Sequence, residues 1–386
     1  MLALTLPYSQ ILLTSWRSSM GWLDDYKPAM AMVGLQFIYA GLALFTRVAL
    51  VRGMSPRVYV VYRQAIATLV MAPIACFARR RNPGRISLGL KSFSLIFVAS
   101  LVGVTANQNF YFEGLYLASS TAASATINLI PAITFVMATT VGMEKINIRS
   151  LRSIAKIMGT IFCVIGSISM ALLKGPKLFI NMTELLPSKS SMVTGGDHNY
   201  NWLLGCLSLF GSSCFWSFWV IMQVPISASV PDHIYSSTWM LFLAMLQAAM
   251  VTLVLEHEPE AWYLHSFVEL GCCLFGGIGS AVTFFVQAWC ISQRGPLFSA
   301  MFFPLCTVMT TVLAYMFLHE ELYTGSLLGA FAVIIGLYVV LWGKAEDLQD
   351  HQIIKEESTS KLQHDEASGK IISSTVLDME EPLLLS

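Results

Sequence analysis

The sequence predicts an all-α integral membrane fold of ten transmembrane helices, arranged as two inverted five-helix repeats. Three observations carry that prediction. The first is composition: the 386 residues are 55% hydrophobic and only 12% charged, with a mean hydropathy of +0.65, whereas a soluble domain carries about 25% charged residues. The second is spacing, since apolar stretches of about 20 residues, enough to cross about 30 Å of hydrocarbon, recur along the chain. The third is that the two halves of the chain echo each other.

The ten stretches fall near 29–50, 58–78, 92–112, 118–141, 153–173, 202–223, 234–255, 268–290, 298–318 and 324–342. Residues 1–27 hold an apolar run too short to span, without the charged start or cleavage site of a signal peptide. They are expected to form a cytosolic leader, flexible up to about Met20. Most connections are short. The exception, 176–201, is rich in Gly, Pro, Ser and Asn and has no periodic pattern, so it divides the spans into two sets of five, 28–175 and 202–344. The tail, 345–386, is polar, mixed in charge and rich in Ser and Thr, a composition expected to be disordered.

Basic residues orient the chain. Arg79, Arg80, Arg81, Arg85 and Lys91 lie between spans 2 and 3, and Lys145, Arg149, Arg152 and Lys156 between or just inside spans 4 and 5. The positive-inside rule then places both termini in the cytosol, against the lesser weight of Arg47, Arg52 and Arg57. The sequon at Asn181 falls in the 176–201 loop, on the outer side in this topology, and reads as a glycosylation site.

The repeat is read from aligned residues. Asn128 through Glu144 matches Pro304 through Glu320 without gaps, and Gly159, Gly166 and Lys174 match Gly329, Gly336 and Lys344. Phe110–Gly114 loosely matches Phe284–Ala288, which puts Glu113 opposite Gln287. With five spans per half, the second copy enters from the opposite side.

Net charge is zero, so nothing draws the chain to nucleic acid. The eight cysteines show no CxxC spacing and read as small buried hydrophobes. HExxH and GxSxG motifs are absent and paired carboxylates do not occur inside a span, which argues against an enzyme; no metal or cofactor is called for. The lipid bilayer is the one partner the composition demands, and a homodimer is compatible with it.

Polar residues inside apolar spans mark the candidate site, because an amide in hydrocarbon needs a partner or a cavity. The stretch Asn107–Pro131 holds Asn107, Gln108, Asn109, Glu113 and Asn128. Pro131, and Pro304 in the second half, are expected to break their helices and free backbone carbonyls. The amides at 107–109 occupy less than one turn and cannot share a face; Asn107 and Asn109 read either as pore-facing or as interhelical hydrogen bonders. Asn128 reads as a backbone cap or as a contact to a zwitterion. Arg63 suits a carboxylate if it faces inward, or snorkels to the interface. Gln36 and Tyr39 share a helix face. Trp216 and Trp219 read as an interfacial belt, with a cavity wall as the alternative, and Gln287 occupies the repeat position of Glu113. Gly276, Gly277 and Gly279 are expected to let helices approach closely. The carboxylates Glu113, Glu144, Glu269, Glu320 and Glu321 all fall near span ends, so no buried proton carrier stands out and facilitated diffusion is favoured over proton-driven pumping.

The motifs Gly34–Gly41 (GLQFIYAG), Val61–Gln64 (VYRQ), Asn107–Tyr111 (NQNFY), Asn128–Pro131 (NLIP), Arg294–Pro296 (RGP) and Gly336–Lys344 (GLYVVLWGK) resemble those of the plant nodulin-21-like EamA transporters. These are also called UmamiT or walls-are-thin-related proteins, in the drug/metabolite transporter superfamily. The resemblance spans roughly 27–345. It implies two EamA repeats and amino-acid movement by export or in both directions, with auxin or another small organic anion as the alternative cargo. It also implies the plasma membrane, with the vacuolar membrane as the alternative. A receptor or scaffold is a third reading. The tail ends in an acidic dileucine pattern, Glu380 with Leu384 and Leu385, that fits a sorting signal.

Overall fold

The computed structural model describes the backbone of residues 8–81, 89–118, 120–143, 151–172, 196–318 and 328–343 apart from 330 and 341. Asn181, Glu144, Glu320, Glu321, Glu380, Leu384 and Leu385 lie outside the described residues, as do most of the 176–201 loop and the whole of the tail.

All regular structure among the described residues is helical. The elements are α1 (Tyr8–Val51), α2 (Pro56–Arg81), α3 (Leu90–Ser100), a π-helical turn (Leu101–Ala106), α4 (Asn107–Leu117), α5 (Ser120–Ile127) and α6 (Ile130–Thr140). After these come α7 (Leu151–Leu172), α8 (Gly196–Ser229), α9 (His233–Leu255), a 3₁₀ turn (Pro259–Trp262), α10 (Phe267–Arg294), α11 (Pro296–Ala300) and α12 (Phe303–Leu318). A further apolar helix, α13, covers Phe331–Val340.

Seven helical stretches among the described residues are long and apolar enough to cross a membrane: Tyr26–Val51, Pro56–Arg80, Leu90–Leu117, Asn201–Ser229, His233–Leu255, Phe267–Arg294 and Pro296–Leu313. Three shorter apolar helices occupy Ile130–Thr140, Ser153–Gly166 and Phe331–Val340. The leader departs from expectation. Helix α1 begins at Tyr8, because nothing between Tyr8 and Pro28 breaks a helix and a proline there only kinks it.

Local chemistry sets the boundaries. Asp232 caps α9 by accepting from the backbone N–H of Ile234 (3.1 Å) and Tyr235 (3.3 Å), and Ser266 caps α10 through the N–H of Val268 (3.2 Å). At Gly295 the chain takes φ 87°, a conformation that favours glycine, and Pro296 then opens α11.

The helices pack in matched pairs. Helix α2 lies along α9, α4 along α8, and α1 along both α10 and α12, while α6 lies against α8. Glycines set the closest approaches. A methyl group at Gly336 would lie 2.7 Å from the Gly159 carbonyl oxygen and from the Cys163 amide nitrogen, and one at Gly166 would lie 2.9 Å from the Gly329 carbonyl oxygen. Gly277 packs on Ile66, and Gly276 on Tyr59 and Arg63, the close contact expected of that glycine run.

Candidate functional site

The break in the fourth apolar stretch was expected from Pro131. Helix α5 ends at Ile127, Asn128 and Leu129 form a turn, and α6 restarts at Ile130 with Pro131 in its first turn. The turn closes through Leu129 N–H to Thr126 O (3.0 Å), and two serines of α8 add bonds beside it: Ser213 Oγ donates to Thr126 O (3.0 Å) and Ser217 Oγ to Ile130 O (3.3 Å). Asn128 is therefore not the backbone cap. It is fully buried, its Oδ1 accepts from Thr307 Oγ1 of α12 at 2.8 Å, and its Nδ2 has no partner in the protein.

A second cluster lies between α1, α8, α10 and α12. Tyr39 donates to Gln287 Oε1 (2.5 Å), and Gln287 Nε2 donates to Ser299 Oγ (3.2 Å). The Tyr39 ring packs against Trp216 (6.5 Å between centroids) and Phe303 (6.0 Å), and Trp216 stacks on Trp219 at 5.0 Å. The belt reading of the two tryptophans is thereby corrected. Trp219 is wholly buried, and its Nε1–H points to Met240 Sδ at 3.0 Å. Their i,i+3 spacing describes an inward face as well as an outward one, and only the packing of α8 decides. Phe303 stands one turn from Thr307 on α12, so the aromatic wall and Asn128 converge on the same helix face.

Among the described residues, the buried polar atoms without protein partners include both amide atoms of Gln36 and of Gln64, Asn128 Nδ2, Thr134 Oγ1, Trp216 Nε1 and Arg63 Nε. Arg63 lies over the Tyr59 ring (5.8 Å) and within electrostatic reach of Tyr39, so it is held inward and does not snorkel. Each such buried group costs about 1–3 kcal/mol unless a ligand or solvent meets it.

Other expected residues lie elsewhere. Asn107 donates to Ser212 O (2.7 Å) and Ser212 Oγ (3.1 Å) on α8, an interhelical clasp. Asn109 donates to Thr105 O of its own helix (2.8 Å) and lines a separate cavity with Glu113. The π-helical turn just before Asn107 shifts the register of α4 as a whole, and the three amides diverge because consecutive helical residues point in different directions. Glu113 is about half exposed, with Arg57 at 3.9 Å. It shares neither the burial nor the surroundings of Gln287, its repeat counterpart. Gln64 and Thr134 were missed as site residues: Gln64 was quoted only within its motif, and a single Thr in an apolar run gives no signal. Lys156, 3% exposed, adds a buried cation that its place at the edge of a span did not suggest. Cys163, Cys272, Cys273 and Cys290 are buried as expected, whereas Cys76 is exposed. No group of three or more His, Cys, Asp or Glu among the described residues could hold a metal ion.

The model of the EamA-like transporter family matches residues 27–171 and again 203–342. A WAT1-related protein of Arabidopsis thaliana is 51% identical over 360 residues, covering 92% of this chain and 96% of its own. Protein WALLS ARE THIN 1 of the same plant is 36% identical over 355 residues, covering 90% and 91%. A solved crystal structure superposes with a TM-score of 0.59 at 15% identity, over 81% of this chain and 96% of the other, a likeness of fold. The chain belongs to the EamA-like transporter family, among its plant WAT1-related members, and is a multi-pass membrane transporter, not an enzyme.

Proposed function

We propose that this transporter moves amino acids, by export or bidirectional facilitated diffusion, through alternating access of ten helices in two inverted repeats. The carrying observation is the set of unpartnered buried polar atoms on Gln36, Gln64, Asn128 and Trp216 beside an aromatic wall. Amides both donate and accept, so this set can meet the carboxylate and the ammonium of one zwitterion, with Arg63 as the cation nearest the carboxylate.

The seam between α7 and α13 supports the inverted repeat. Gly159 and Gly166 align in sequence with Gly329 and Gly336, yet in space Gly159 meets Gly336 and Gly166 meets Gly329. A contact in which i meets j and the copy of i meets the copy of j is the mark of a two-fold relation. Repeat 1 then covers 28–175 and repeat 2 covers 202–344, with 176–201 outside and both termini in the cytosol. The plasma membrane is the favoured location. The positions of Arg79, Arg80 and Arg81 at one end of α2, with Arg57 at the other, fit the same orientation, the arginine-rich end facing the cytosol.

The tryptophan, tyrosine and phenylalanine wall also suits an indole ring, which favours auxin as a second reading. Efflux of a labelled amino-acid mixture and of labelled indole-3-acetate from preloaded oocytes, at two external pH values, tests both. Amino-acid efflux that is insensitive to the proton gradient and lost in surface-expressed Asn128→Ala is expected. Movement of indole-3-acetate alone would transfer the assignment to auxin, and flux that follows the gradient would replace facilitation by proton coupling.

A further inference from the structure

A cavity of about 370 Å³ opens between α2, α4 and α9, lined by Arg57, Gln108, Asn109, Phe112, Glu113 and Tyr116 among others. It lies apart from the central cluster: Arg57 and Val60 of α2 line it, and Gln64 stands one turn further along the same helix face, beyond the lining. We propose that this vestibule is a second binding site, for a free zwitterionic α-amino acid, with Arg57 receiving the carboxylate and Glu113 the ammonium. The choice of ligand class rests on the amino-acid reading above; the site itself rests on the following geometry.

Arg57 stands between two carboxylates, 3.9 Å from Glu113 Oε2 and 3.7 Å from Glu256 Oε2. Charge-assisted hydrogen bonds run at about 2.7–2.9 Å, so both contacts are ion pairs at long range. Glu256 already accepts from Ser55 Oγ at 2.9 Å, which ties it to the start of α2 and leaves Glu113 as the looser partner. The guanidinium fork therefore keeps donors in a geometry that a carboxylate would accept in bidentate fashion. Gln108 Oε1 is buried without a partner in the lining of the same cavity and offers an acceptor, in addition to the Glu113 carboxylate, for an ammonium. Phe112 and Tyr116, four residues apart on α4, present one aromatic face for a side chain. The volume falls among small-molecule sites, about 300–1,000 Å³. A simple anion would meet the repulsion of Glu113 and Glu256, and a simple cation that of Arg57. A dipolar molecule meets neither.

Equilibrium binding of labelled L-glutamine to the purified full chain in detergent tests this. The Asn128→Ala chain isolates the vestibule from the central site. It is expected to retain saturable binding that N-acetyl-L-glutamine and L-glutamine amide compete for at least about tenfold less well than L-glutamine does. In that background, Arg57→Gln and Glu113→Gln each weaken L-glutamine binding about tenfold or more. Arg57→Gln relaxes discrimination against the amide, and Glu113→Gln relaxes it against the N-acetyl compound. The charge-swapped pair, Arg57→Glu with Glu113→Arg, restores binding to within a few-fold and guards against variants that merely misfold. Absence of residual binding in Asn128→Ala, or residual binding indifferent to Arg57 and Glu113, overturns the proposal. If the parent moves no amino acid yet Asn128→Ala binds L-glutamine through Arg57 and Glu113, the transport reading fails and the vestibule stands.

Discussion

The two helix breaks occupy neighbouring positions of the sequence repeat and differ in the side chains they bury. The first, at Asn128–Leu129, closes on its own backbone through Leu129 N–H to Thr126 O (3.0 Å), gains further bonds from serines of α8, and holds a buried amide nitrogen without a protein partner. The second, at Met301–Phe302 between α11 and α12, likewise closes on its own backbone, with Met301 N–H to Leu297 O (3.1 Å) and Phe302 N–H to Ser299 O (3.3 Å). It is packed by Phe298, Phe302, Met32 and Leu35. A repeat copies backbone geometry without copying chemistry. A buried polar break carries a desolvation cost that an apolar one does not, and this asymmetry supports the proposal that the ligand is met on the Asn128 side, with the Met301–Phe302 break as apolar wall.

That comparison presumes halves held together along α7 and α13, which gives the largest expected effect. Gly336→Ala puts a methyl group 2.7 Å from backbone atoms of Gly159 and Cys163, and backbone cannot step aside as a flexible side chain can. Overpacking of this kind costs about 1–3 kcal/mol or more. Loss of most of the monodisperse, fluorescence-tagged protein on size exclusion is expected. An unchanged profile would mean the seam is looser than described, and the two-fold argument would lose its footing.

The breaks themselves can be separated next. Asn128→Ala is expected to lower efflux about ten- to a hundredfold in surface-expressed protein, equivalent to about 1.4–2.8 kcal/mol in the rate-limiting complex. Phe302→Leu, a loss of buried volume, should lower the melting temperature by a few degrees, from about 1–2 kcal/mol, and leave KM for the same substrate within about twofold. If Phe302→Leu alters KM as much as Asn128→Ala does, the wall is part of the site and the contrast between the breaks disappears. A smaller effect belongs to the serines. Ser213→Ala with Ser217→Ala removes one hydrogen bond each from Thr126 O, which keeps its bond from Leu129 N–H, and from Ile130 O, for a loss of about 0.5–1.5 kcal/mol per bond in thermal stability. Stability equal to the parent would show that other groups cover those carbonyls.

Much of this organisation was legible in the sequence, for physical reasons. Hydrophobic length marks apolar helices whatever they pack on, and Pro131 dictates a break because it lacks an N–H. The close contact of Gly276 and Gly277 was expected because glycine admits near approach, whereas Gly159, Gly166, Gly329 and Gly336 were read only as repeat markers and not as a seam. The destination of each polar side chain was not legible. Asn107, Asn109 and Asn128 are the same residue type in one stretch, yet they clasp α8, bond their own helix and face an unpartnered interior. A π-helical turn just before Asn107 shifts the register of the helix that follows, and no local signal in Leu101–Ala106 announces it. Trp216 and Trp219 were misread for the same reason, since inward and outward faces share one periodicity. Gln64 carries no local signal beyond its polarity, and only its burial at 0% exposure singles it out.

The smallest effect is the most discriminating. Asn128 makes one bond, from Thr307 Oγ1 to its Oδ1, and leaves its Nδ2 unused. Either atom could carry its importance: the first as a clasp between α12 and the turn after α5, the second as a substrate contact. Thr307→Val preserves shape and removes only the hydroxyl donor, which weakens the clasp by about 0.5–1.5 kcal/mol. With Nδ2 as the working atom, KM is expected to rise no more than a few-fold, because the amide keeps its place in the turn. With the clasp as the working contact, Thr307→Val would reproduce the full loss seen with Asn128→Ala, and the double variant would be no worse than either alone. A double-mutant cycle on efflux reads the two apart. A coupling energy near the whole Asn128→Ala effect would make the polar break a joint between halves, and a coupling of about 1 kcal/mol or less would leave the amide free to hold the cargo.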